Sequence, residues 1–134
     1  MFNKFKIKPA KKHDLKKVRK LFFDVDQKIK DRSVKKLINK KKVLVLKKRN
    51  KIKAAFAYTI FGVCGLFSFM YIKKIAVDKN DRGVGIGSHL LYNIKNFSRR
   101  KGVKFSLLYS LKKAVNFYKK NKLKKCGRLF WWKN

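Results

Sequence analysis

Apolar and basic residues alternate from Phe5 to Lys8, which predicts a first strand that Pro9 interrupts. Leu15, Val18, Leu21 and Phe22 then recur at helical spacing behind Asp14, which reads as the N-cap or first-turn acid of an amphipathic helix. A polar connection carrying Asp24, Asp26 and Asp31 follows, and Val34, Leu37 and Ile38 predict a short second helix. Val43 to Leu46 predicts a second strand, Arg49 to Lys51 a turn, and Ile52 to Phe61 a third strand too apolar for a sheet edge. Gly62 to Gly65 returns the chain into a long fourth strand, about Leu66 to Val77. A third helix spans about Val84 to Arg100 and stops at Gly102, and Val103 to Tyr109 is a fifth, buried strand. Ser110 to Leu123 contains a fourth helix, and Leu123 to Cys126 and Arg128 to Trp132 are short closing strands.

One stretch challenges this order. Ala54 to Ile72 holds no charged residue, which meets the length rule for a membrane helix. Its content is mostly aromatic and β-branched, and Gly62 and Gly65 sit where a hairpin needs its turn. Lysines flank both ends equally, so no orientation bias shows. Two adjacent buried strands explain the run better than a membrane span.

Length and composition then bound the class. A chain of 134 residues that is 46% apolar holds one core and is expected to be a single domain over residues 1–134. Charge changes the picture: 40 Lys and Arg face six acids, all aspartates, giving +34. The lysines run along the whole chain, so the expected result is a cationic globule that attracts polyanions and repels itself at low salt. Non-specific nucleic-acid binding follows from that charge, although base-reading motifs are missing. Cys64 and Cys126 form no disulfide framework and read as buried packing thiols, and no metal-ligand spacing occurs. His13 and His89 have no partnering pattern for metal or triad chemistry and read as ordinary helix residues. The N-terminus lacks an apolar signal core, and a reducing cytoplasm is the expected compartment.

The candidate chemistry lies between the fourth strand and the third helix, in Arg82-Gly83-Val84-Gly85-Ile86-Gly87-Ser88. Unpaired N–H groups at a helix start, aided by the helix dipole, suit a phosphate. A dinucleotide fingerprint would need a glycine at Ser88 and an acid between 101 and 112, and neither is present. A Walker loop and the kinase aspartate motifs are also absent. A glycine-rich turn without a ligand stays open.

The spacing Arg82-x-x-Gly85-x-Gly87 resembles the (Arg/Gln)-x-x-Gly-x-(Gly/Ala) motif of the GNAT superfamily of N-acetyltransferases. Ala114-x-x-Phe117-Tyr118 is similar to the pattern on that family's fourth helix, with Lys122 and Leu123 standing where a Gly-Phe pair is usual. The resemblance implies a mixed, mostly antiparallel sheet of about seven strands, flanked by four helices and splayed between strands four and five. It implies acetyl-CoA as cosubstrate without a metal, its pyrophosphate wrapped by Arg82 to Ser88 and its pantetheine arm beside Ile75 and Val77. Tyr118 would be the general acid, because a phenol with pKa about 10 can protonate a thiolate of nearby pKa. Many relatives carry a glutamate base on strand four, at a position that falls near Tyr71; this chain has no glutamate. Asp24 or Asp26, a tyrosine acting through water, or no dedicated base are the options. A further option is that the positive field lowers the pKa of the bound ammonium. Asp24 and Asp26 also lie where the family places part of its acceptor wall. The implied reaction is direct acetyl transfer to a primary amine. The field favours acceptors on ribosomal, tRNA-linked or chromatin-associated molecules over polycations. A GNAT-fold RNA- or DNA-binding module with little turnover is the alternative.

Overall fold

The structure is a computed structural model that describes residues 5–83 and 85–134. Its centre is the apolar part of the sequence. β2 (Val43–Lys48) pairs antiparallel with β3 (Lys51–Val63) across Arg49 and Asn50, both at positive φ, the geometry that matches a tight hairpin to the twist of its strands. β4 (Phe67–Val77) follows β3, and β1 (Phe5–Pro9) pairs with β2. β5 (Phe105–Tyr109), β6 (Lys124–Cys126) and β7 (Leu129–Lys133) complete a seven-stranded sheet in the order β1-β2-β3-β4-β5-β7-β6. Its one parallel pairing among those described joins β4 to β5, from Phe69–Phe105 to Ile72–Leu108. The ladder ends there while β4 runs on to Val77, which is what a splay after the fourth strand requires. The helices are α1 (Leu15–Val25), α2 (Asp31–Asn39), α3 (Ile86–Arg100) and α4 (Val115–Lys120). The mixed, mostly antiparallel architecture with four helices is the one expected.

Contacts cluster into two units: the chain up to Ala57 with Lys74–Leu91, and Tyr58–Lys73 with Tyr92–Asn134. In the first unit Val18, Leu21 and Phe22 of α1 and Val34 and Ile38 of α2 form one buried cluster with Val43 and Val45 of β2 and Ala55 and Ala57 of β3. The alternate residues Leu44, Leu46, Ala54 and Phe56 are buried as well. Burial of both faces is why these strands read as continuous apolar runs instead of alternating. Ala54 to Ile72 is accordingly strand, turn and strand, and no described helix is long and apolar enough to cross a membrane.

In the second unit Met70, Leu108, Phe130 and Trp132 are buried, and the buried Tyr58 meets Phe97 edge to face. Asn134, itself exposed, supplies partners to buried polar groups here. Its side chain accepts from Ser98 Oγ (3.0 Å) and Trp132 Nε1 (3.1 Å), and donates to Val103 O (3.0 Å) and Ser106 Oγ (3.2 Å). Two buried serines and an indole thereby keep partners away from water.

Three local expectations are corrected. Cys64 and Cys126 are exposed, not buried, because each sits at a hairpin turn: Cys64 at positive φ between β3 and β4, Cys126 just before Gly127. Asp14 is the N-cap of α1 by position, as expected; what differs is its carboxylate, which turns back to accept the Lys11 N–H (2.9 Å) and pairs with Lys47 (3.3 Å). The third helix begins at Ile86, leaving Gly83 and Gly85 in the loop.

A candidate cofactor loop between β4 and α3

The loop lies in the first unit, and its approach is held by carboxylates. Asp78, the residue after β4, is ion-paired with Lys17 of α1, and its backbone N–H donates to Lys53 O on β3 (2.8 Å). Its second oxygen accepts the Asn80 N–H (3.1 Å), which starts the single 3-10 turn Lys79–Asp81. Asp81 pairs with Lys53 (3.4 Å). On β4 itself Lys74 is ion-paired with Asp26, and Lys79 reaches Asp24 (3.8 Å). Four of the chain's six aspartates therefore tie the end of β4 and its turn to α1, the residue after it, and β3. The ion-paired lysines hold the Asp78 and Asp26 carboxyls below the usual range, assisted by the backbone bonds from Asn80 and Lys28.

Beyond this anchor the chain turns on glycine. Gly83 and Gly85 have φ of 83° and 85°, a region where a Cβ would meet the following carbonyl. Arg82 folds back, its Nε donating to Val77 O (3.3 Å), so that carbonyl is already engaged. Ile86 is buried and pins the start of α3, whereas Gly85 and Ser88 are exposed. The first turn of α3 holds no acid and its last turn holds Arg99 and Arg100, the distribution that complements the helix dipole. Such a terminus, with exposed glycines, offers backbone N–H donors to an anion. Val84 lies outside the described residues. His89, one turn into α3, rests against Phe5 (5.2 Å), and burial lowers its pKa and favours the neutral ring.

The remaining candidates are distributed between the units. Ile75 and Val77 of β4, in the first unit, are half-buried, as are Asp24 and Asp26, which are held by lysines as above. Tyr71 lies on β4 in the second unit, half-buried and opposite Leu107 of β5. Tyr118 of α4, also in the second unit, is 4% exposed and packs on Phe117 and Phe130. Burial pushes its phenol up to about 12. Its hydroxyl makes no hydrogen bond among the described residues, yet no unpartnered polar atom there is sealed from solvent, so the oxygen still touches the exterior. Among the described residues no three His, Cys, Asp or Glu side chains gather to hold a metal ion.

The anchoring lysines Lys17, Lys53, Lys74 and Lys79 are what sequence reasoning missed. The available signal was scarcity: four of only six acids flank α1 and the loop.

Comparison with known proteins agrees with this architecture. Residues 39–122 match the family model described as an acetyltransferase (GNAT) domain. No curated protein sequence matches the chain. Among solved structures, an aminoglycoside acetyltransferase from an uncultured soil metagenomic sample, in complex with sisomicin, is 25% identical, with a TM-score of 0.72 over 90% of this chain and 88% of that one. Ard1 from Thermoplasma volcanium reaches a TM-score of 0.81 over 97% of each chain at 15% identity. Naa50 from Arabidopsis thaliana, in complex with the bisubstrate analogue CoA-Ac-MVNAL, scores 0.72 over 96% of this chain and 95% of that one at 16% identity. The last two likenesses concern the fold alone. With a family model spanning most of its length and the glycine loop placed between the fourth strand and the third helix, the chain belongs to the GNAT superfamily and is an N-acetyltransferase.

Proposed function

We propose that residues 1–134 act as one catalytic domain that transfers an acetyl group from acetyl-CoA directly to a primary amine. The observation that carries this reading is the loop itself: exposed glycines at positive φ lead into a helix start without acids, on a junction tied down by four ion pairs. In this reading backbone groups of Arg82, Gly83, Val84, Gly85, Ile86, Gly87 and Ser88 hold the pyrophosphate. Ile75 and Val77 border the pantetheine.

The amine nitrogen attacks the thioester carbonyl, the carbon–sulfur bond breaks, the nitrogen loses a proton and the thiolate gains one. Tyr118 supplies the latter. A phenol pushed up to about 12 keeps its proton throughout the physiological range. Transfer to a thiol-like leaving group of pKa about 8.5 is uphill at equilibrium, so the proton moves only as negative charge gathers on sulfur, and the proton shed by the amine returns to the phenolate through water. Asp26, held ionised by Lys74, is a weaker base than a free carboxylate, and Asp24 is paired with Lys79. Tyr71 stands at the base position and acts through water. The remaining demand, a neutral amine, is met by the +34 field, which destabilises a bound ammonium.

The same field bears on the acceptor. It repels polycations such as aminoglycosides and favours amines on a nucleic-acid-associated or acidic protein, ribosomal, tRNA-linked or chromatin-associated, in a cytoplasmic setting. The test is transfer of labelled acetyl from acetyl-CoA into a whole-cell extract separated into protein, tRNA and small molecules. Label in the protein or tRNA fraction is expected. Label confined to small molecules would reject the acceptor class, and no thermal stabilisation by saturating acetyl-CoA would reject the donor assignment.

A further inference from the structure

All six aspartates lie in the first unit, and each is paired with a basic side chain. The second unit contains fifteen Lys and Arg and no Asp or Glu. Its sheet carries an unusual surface. Phe67 and Phe69 share one face of β4 by their spacing, and Phe105 of β5 is registered opposite Phe69 on that face. Phe61 stacks on Phe69 (5.3 Å between centroids), Phe67 meets Phe105 edge to face (5.9 Å), and Phe105 meets Trp131 of β7 likewise (6.2 Å). Buried Met70, Leu108, Phe130 and Trp132 belong to the opposite face, where Tyr118 of α4 packs on Phe130. The aromatic face stays open: Phe61 is 46% and Phe67 37% exposed, and Phe105 and Trp131 are half-buried.

Cations are interleaved with the rings. Lys104 Nζ stands over Phe67 (5.8 Å) and Lys124 Nζ over Trp131 (4.8 Å). An open groove of about 660 Å³ beside Phe67 and Lys104 adds Arg99 to its lining. A row of rings set in a sheet is a stacking platform for unpaired bases, and flexible ammonium groups among them can follow the phosphates. An exposed ammonium–ring contact is weaker than base–aromatic stacking, so an arriving base can displace the lysine from the ring and free it for a phosphate. A second copy of the chain fits poorly, because it would oppose two surfaces of like charge. A membrane fits poorly as well, because interfacial binding needs apolar side chains segregated from their cations.

We propose that this face of the second unit binds single-stranded nucleic acid, stacking bases on Phe67, Phe105 and Trp131 and holding phosphates with Lys104 and Lys124. Binding there requires no acetyl-CoA.

The test titrates the full chain with a labelled twelve-nucleotide oligo(dT) and oligo(U), with a duplex of equal charge, heparin and anionic vesicles as comparisons. Both single strands are expected to quench tryptophan fluorescence; a preference between them tells DNA from RNA. Phe67→Ala should weaken oligonucleotide binding roughly tenfold at unchanged salt slope, the size expected for one stacked base. Lys104→Ala with Lys124→Ala should lower the salt slope by about 1.4, two phosphates on a single strand. If Phe67→Ala fails to fold by circular dichroism, Phe67→Leu keeps the apolar volume and removes the ring. Equal binding of heparin and oligonucleotide with no effect of either Phe67 variant would overturn the proposal. So would quenching by vesicles alone, or a dimer in sedimentation that shields Trp131.

Discussion

Lys17 and Asp78 form an ion pair that joins α1 to the residue after β4, where the approach to the candidate cofactor loop begins. Asp78 is the better buried partner, and it also caps the turn through the Asn80 N–H. Replacing it by Asn keeps an acceptor for that N–H and removes the charge. Asp78→Asn should lower the melting temperature by a few degrees and weaken acetyl-CoA binding, since the anchored turn leads directly into the loop. A double-mutant cycle with Lys17→Met, read by denaturant unfolding, should return a coupling of about 1 kcal/mol.

The lowered pKa values of Asp26 and Asp78 carry a pH signature. Both lie below the ordinary aspartate range, so the unfolded chain binds more protons as acid is added. The stability these groups contribute is present above about pH 4 and is lost as pH falls through their folded values. Thermal unfolding should be nearly flat from pH 7 to 5 and decline below 4, and Asp26→Asn should blunt that decline.

Gly83 carries the loop's direction change at φ 83°, and a Cβ there would meet nothing within 4 Å beyond its own chain neighbours. The cost of Gly83→Ala is therefore backbone strain alone, roughly 1–2 kcal/mol. Equilibrium unfolding should register that loss, and isothermal titration should show weaker acetyl-CoA binding. Gly62→Ala, near the end of β3 where φ is not positive and a Cβ also meets nothing beyond its chain neighbours, should be close to neutral by both measurements.

Tyr118 stays protonated until about pH 12, so it adds no falling limb to a rate profile measured below pH 11. The profile should rise with pH as the acceptor amine loses its proton and then plateau. Tyr118→Phe should cut kcat on the order of a hundredfold with little change in KM, the size expected of a positioned proton donor. Stability runs the other way: it is full below the unfolded phenol value near 10 and declines as pH rises through 12, by roughly 3 kcal/mol in total. Alkaline unfolding followed by phenolate absorbance should be less steep in the Phe variant.

Much of this was legible in the chain. Helical spacing at Leu15, Val18, Leu21 and Phe22 fixed α1, because one face of a helix must be apolar to pack. The uncharged run to Ile72 resolved into β3 and β4 because Gly65, at positive φ, lies in the turn between them. The thiols were misplaced because nothing local tells a cysteine at a hairpin turn from one in a strand; Cys64 and Cys126 each lie at the point where the sheet reverses.

Local order, being written in period and turn chemistry, was determined by the sequence: the strand and helix succession, the glycines of the loop, and Tyr118 on the last helix. Partners were decided only by the tertiary structure. Which lysine meets Asp26 or Asp78 depends on residues 48 and 61 positions apart, a pairing that no local pattern encodes. The placement of every carboxylate in one unit and of the aromatic ladder in the other likewise arises only when distant strands align. Sequence named the loop that would hold an anion; folding supplied the ion pairs that hold the loop.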